Sequence, residues 1–111
     1  MLRRGDIVLV DFDPAMPFEA AASRPAIIVS NNLANAHAYV VIVVPLTTNL
    51  KRIYPHEMVL EVNRTGLDEP SKTQVHLLRH VSKARIAKVL AHLPTDLMQQ
   101  LDDLLREYLT L

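Results

Sequence analysis

At 111 residues, half of them hydrophobic, the chain has enough apolar material for one core and too little for two. It holds no cysteine, which excludes a disulfide framework, a thiol nucleophile and a cysteine-ligated metal. Twelve basic residues balance twelve acidic ones, which argues against a protein that coats polyanions through net charge, and no stretch approaches the length of a membrane span. Met1 leads straight into a strand-like segment, so a cytoplasmic protein without a signal peptide is expected.

Gly5 and Asp6 open a largely β-branched run, Ile7–Phe12, that reads as the first strand. Asp13 and Pro14 begin a connection, Ala15–Ser23, that is long for a hairpin and so of the kind that often binds. Pro14 and Pro17 stiffen it, and Glu19 is its one charge after Asp13. Phe18 in this loop can stack on a base or plug the mouth of a barrel; the plug is the preferred reading.

Two buried-strand runs follow, Ala26–Val29 and Tyr39–Val44. Paired antiparallel through a turn at 31–38, they bring Arg24, just before Pro25, to the same end of the sheet as Thr47 and Thr48, just after Pro45. A guanidinium and a hydroxyl fixed on rigid strands make a site for an oxyanion, phosphate above all. The bland alternative is a surface arginine near a strand-end threonine.

Lys51, Arg52, Tyr54 and His56 fill the next connection, a basic and aromatic mixture suited to a phosphate backbone. Glu57–Val62 reads as a fourth strand, Asn63–Gly66 as a turn, and Thr73–Val81 as a fifth strand. Ser82 is placed as the N-cap of a short helix, with Ile86, Val89, Leu90 and Leu93 at helical spacing and Pro94 ending it. Thr95 or Asp96 then caps a final helix whose stripe is Leu97, Leu101, Leu104, Leu105 and Tyr108. From Lys72 to His92 there are five Lys/Arg, three His and no acid, read either as a nucleic-acid face or as a solvated helix face.

Strands at the front and helices at the back predict one α+β domain over residues 1–111, a small, strongly curved antiparallel sheet or barrel. No cofactor is expected, since the chain has no P-loop and no Gly-rich nucleotide cradle, and only two glycines. No metal is expected either. The five histidines are scattered, and His76 and His80, on a strand, would stand about 13 Å apart. Composition and spacing thus reach an α+β domain with a candidate nucleic-acid surface.

Several blocks in register carry a further reading. Arg4–Pro14, then Arg24–Ser30, Val44–Asn49 and Pro70–Ile86, resemble the MazF/PemK toxin ribonucleases over nearly the whole chain. The resemblance implies an SH3-like barrel that forms a homodimer, cuts single-stranded RNA at a short sequence without a metal, and is neutralised by a MazE-like antitoxin. It assigns Arg24 and Thr47 as the catalytic pair and matches Glu19 and Ser71 to RNA contacts; Asn49 beside Thr47, His76 where relatives often carry an acidic residue, and the loop aromatic Phe18 are read as further RNA contacts. The family's Gly-Ser-Glu-Gln-x-Gly loop reads Pro17-Phe-Glu-Ala-Ala-Ala22 here, which implies a stiffer loop and altered base preference. Two alternatives stand beside it. One is a non-enzymatic topoisomerase poison of the CcdB type, weakened by the absence of any Trp; the other is a degenerate member that binds RNA or antitoxin without cutting.

Overall fold

The computed structural model describes residues 1–111. Its centre is an antiparallel meander of β1 (Asp6–Asp11), β2 (Ser23–Ile28) and β3 (Val40–Thr47). β7 (Ile86–His92) pairs with the free edge of β1. β3 is shared in succession: Val40–Val43 pair with β6 (Arg79–Ser82), and Leu46 and Thr47 with β5 (Ser71–Thr73), which in turn pairs with β4 (Val59–Leu60). A strand that serves different partners along its length bends, and the sheet curls into the expected antiparallel half-barrel.

Strand alternation explains why the central runs are apolar throughout rather than alternating. Ile7, Ile27, Val44 and Leu46 point to one face and pack under the C-terminal helix, α3 (Thr95–Leu109), through Leu97, Leu101 and Leu105. Val8, Val10, Phe12, Ala26, Ile28, Val41 and Val43 point the other way and fill the inside of the curl with Ala20 and Val81. Both faces of each central strand are therefore core. The helical stripe forms as predicted, although Pro94, not Thr95 or Asp96, occupies the N-cap position. Asp96 sits in the first turn, where the Arg64 guanidinium bonds both its oxygens and holds its carboxyl below the ordinary value.

Other expectations are corrected. The 31–38 turn contains a short helix, α1 (Asn32–His37), because the Asn31 side chain accepts the Ala34 N–H and caps it. The fourth strand is only two residues long. Val62–Thr65 turns into α2, closed by Gly66 in the left-handed conformation at φ 78°. The fifth strand is cut in two by a 3₁₀ turn, Val75–Leu77, that drives Val75 into the core.

The largest correction lies at 82–93. Ser82 does cap, accepting the Ala84 N–H, but only a single 3₁₀ turn (Lys83–Arg85). Ile86–His92 is a strand. Its pairing with β1 slips twice: Ile7 faces Ala91 but Val8 faces Val89, and Leu9 faces Lys88 but Val10 faces Ile86. Each slip inserts an extra residue, Leu90 and Ala87, so the inside–outside period is no longer two. Bulged strand spacing then imitates helical spacing.

Candidate active site

β2 and β3 pair with Ala26 opposite Pro45 and Ile28 opposite Val43. Continuing that register sets Arg24 opposite Thr47, and residues directly opposed across a sheet share a face. The two line one cavity of about 290 Å³ with Ala21–Pro25, Leu46, Thr48 and Ser71. The expected juxtaposition is therefore present.

Arg24 is half-buried and tethered twice. Its Nε donates to the Ala21 carbonyl at 3.0 Å and its Nη1 to Gln74 Oε1 at 3.3 Å. Nη2 makes no hydrogen bond within the chain, so a fixed fork presents free donors to the cavity. Thr47 Oγ1 accepts the Asn49 N–H at 3.2 Å, which orients the hydroxyl and leaves its proton to give away. A fixed cation and an oriented hydroxyl donor can stabilise charge that develops on an oxyanion. Gln74 had no signal in the sequence; it reaches Arg24 only because the chain turns after β5.

Ser71, which opens β5, lines the same cavity and is itself buried. A second cavity, of about 460 Å³, shares Pro25, Thr48 and Ser71 and continues past Leu67, Asp68 and Glu69 to Lys88. Together the two make a groove across the end of the sheet. Asn49 is exposed beside Thr47, its Oδ1 engaged by the Lys51 N–H at 3.2 Å and its amide NH₂ free.

The loop before Arg24 departs from expectation. Phe18 does not plug the barrel: its residue is 97% exposed and its backbone is left-handed at φ 68°. The buried phenylalanine is Phe12. Glu19 closes the loop on itself, its Oε1 accepting the Met16 N–H at 2.8 Å. Ala22 is also left-handed, at φ 60°, held by an N–H to Asp13 Oδ1 bond of 2.8 Å.

The basic stretch does not make one face. Lys72 is buried, Arg79 lies over the Phe12 ring, Lys83 Nζ donates to the Asn35 carbonyl, and Arg85 Nη1 donates to the carbonyls of Asp11 and Asp13. Only Lys88 reaches the groove.

His76 is not in the Arg24 cavity. It stands with His56, ring centroids 5.0 Å apart, beside Glu57 and Lys72. Lys72 Nζ donates to Glu57 Oε1 at 3.0 Å and to the Arg52 carbonyl at 2.6 Å, a buried ion pair hidden from a sequence reading that expects lysine outside. Burial would raise the Glu57 carboxyl, but the Tyr54 N–H and Lys72 outweigh it and hold it below the ordinary value. The His76 imidazole is held below its ordinary value, first by burial and then by His56.

No helix in the structure is long and apolar enough to cross a membrane. The sequence matches, over residues 3–109, the family described as PemK-like, MazF-like toxin of type II toxin–antitoxin system. It is 38% identical to Endoribonuclease MazF9 of Mycobacterium tuberculosis over 116 residues, spanning all of this chain and 98% of that protein. The fold is similar to MazF from Deinococcus radiodurans, with a TM-score of 0.86 at 24% identity over 99% of this chain and 97% of that one. It is also similar to a mycobacterial endoribonuclease in complex with its cognate antitoxin, with a TM-score of 0.80 at 22% identity over 100% and 97% of the two chains.

Proposed function

The chain belongs to the PemK-like, MazF-like toxins of type II toxin–antitoxin systems, and on that footing we propose that it is an endoribonuclease cutting single-stranded RNA in the Arg24–Thr47 groove. The observation that carries the site is the shared cavity: a tethered guanidinium with a free Nη2 and an oriented threonine hydroxyl on adjacent strands.

The reaction is in-line attack of a ribose 2′-oxygen on the neighbouring phosphorus. The 2′-O–P bond forms, the P–O5′ bond breaks, the 2′-OH loses its proton and the 5′-oxygen gains one, leaving a cyclic phosphate and a 5′-hydroxyl. Negative charge builds on the non-bridging oxygens, where Arg24 and Thr47 donate. Arg24 acts as stabiliser rather than base, because a guanidinium keeps its proton in a protein. RNA runs along the groove past Ser71 toward Lys88, the exposed Phe18 offers a stacking face at the loop, and Asn49 Nδ2 reads a base edge. Glu19 contributes by holding the loop that carries Phe18.

The cellular partner is an antitoxin of the MazE kind and the site of action is the cytoplasm, where mRNA is the substrate. The topoisomerase-poison reading loses ground to the endoribonuclease relative that spans the full chain. Purified protein incubated with a long single-stranded RNA in EDTA, mapped by primer extension, should give discrete cuts at one short motif. Arg24→Ala should lower the rate about 10²–10³-fold with the fold intact. Undiminished cutting by that variant would remove Arg24 from the site, and no cutting by the parent would favour a degenerate binder.

A further inference from the structure

The geometry points to a transition-metal site of the Zn²⁺ class formed by His56, Glu57 and His76, separate from the Arg24–Thr47 cavity. One ligand atom from each residue lies within 4.8 Å of the other two. A triangle with no side above 4.8 Å always contains a point within about 2.8 Å of its corners (the side over √3). Zinc sits roughly 2.0–2.2 Å from imidazole nitrogen and carboxylate oxygen, so closure requires shifts of less than about 1 Å. Two imidazoles and one carboxylate form a familiar three-ligand set that leaves a fourth position for water.

The residues are arranged as ligands rather than as a hydrogen-bonded cluster. The imidazole rings of His56 and His76 meet at 79°, so they do not stack on each other. Neither spends a ring nitrogen on a protein group; the imidazole hydrogen bond in the molecule belongs to His92 and Asp6. Glu57 is held from behind: the Tyr54 N–H and Lys72 Nζ both bond Oε1, leaving Oε2 without a partner in the chain. Such outer contacts orient a metal-binding carboxylate. The His56 ring is fixed by stacking on Tyr54 at 5.7 Å and by Tyr108 of α3 at 5.6 Å.

Lys72 places a positive charge on Glu57 Oε1 and Arg52 Nη1 donates to the Tyr54 hydroxyl at 3.3 Å, while Glu107 of α3 lines a cavity with His56. Two nitrogen donors select a borderline ion over Mg²⁺ or Ca²⁺, which want oxygen. The ligands come from two segments, the β3–β4 connection and the turn after β5, so a bound ion ties them together. Its role is to brace this edge, and RNA cleavage does not pass through it.

The test uses the untagged full-length chain, stripped with EDTA and exchanged into chelator-free buffer. Calorimetric titration with Zn²⁺ should show one equivalent bound, melting should move up by several degrees, and Co²⁺ should give visible ligand-field bands. His56→Gln and His76→Gln, checked by circular dichroism, should each weaken Zn²⁺ at least tenfold. His37→Gln, far from the cluster in sequence and on α1, should not; Mg²⁺ should leave melting unchanged. Absence of saturable Zn²⁺ uptake, or uptake that both cluster variants leave intact, would overturn the proposal.

Discussion

Ala22 shows at one residue what the altered loop entails. Its φ of 60° lies where a Cβ crowds the following carbonyl, at about 1–2 kcal/mol. This is the position where the family resemblance places a glycine, so the conformation persists without the residue that favours it. Ala22→Gly removes the crowding but adds freedom to the unfolded chain. The net gain should be about 0.5–1 kcal/mol, read as a higher urea midpoint at unchanged slope. Gln74 acts at the same scale through Arg24. Gln74→Ala should lower kcat roughly tenfold with little change in KM, as expected when a positioned charge loosens. Gln74→Glu discriminates this from a packing role. It keeps the shape yet offers Arg24 a carboxylate, so it should cut more slowly than Gln74→Ala although it folds as well.

Among the elements, what was legible follows from how local each signal is. The Arg24–Thr47 pairing could be read because β2 and β3 are consecutive and pair antiparallel, so a single register fixes every opposed pair whatever the 29–39 connection contains. β7 could not be read as a strand, because its two slips against β1 erase the period of two. His56 and His76 are brought together by the β4–β5 pairing and the 3₁₀ turn at 75–77, and no pattern in the intervening residues announces either. The burial of Lys72 has no local signal for the same reason: it lies opposite Thr47 and Val59 in the middle of a three-strand patch, and Glu57 comes to meet it. Breaking a buried pair leaves one uncompensated charge. Lys72→Met should therefore destabilise by about 3 kcal/mol in urea unfolding, while Lys72→Met with Glu57→Leu should recover most of that. An additive double variant would mean the pair is not coupled.

At the scale of the whole molecule, one apolar face is left without a cover. Val40, Ile42, Val44 and Leu46 alternate onto the same side of β3, and α3 packs over Val44 and Leu46 alone. Val40 and Ile42 are each 41% exposed, and Ile42 opens onto a cavity of about 490 Å³ that it lines with Leu78, Leu105 and Leu109, the Arg4–Asp102 ion pair and Arg106 sitting among them. It shares no residue with the Arg24–Thr47 groove. A contiguous uncovered patch of this kind is the mark of an association surface. We assign it to the homodimer that the family resemblance implies, since a patch that meets its own copy across a two-fold axis is covered in both chains at once. Light scattering after size exclusion should give twice the chain mass. Ile42→Asp places a charge at the centre of the patch while leaving the β3–β6 backbone bonds in place, and should weaken association about 30-fold or more, the effect of losing a central contact. The variant should keep the parent's circular dichroism, because Ile42 belongs to neither core cluster. A variant that still elutes as a dimer would move the interface elsewhere and leave this face to another partner.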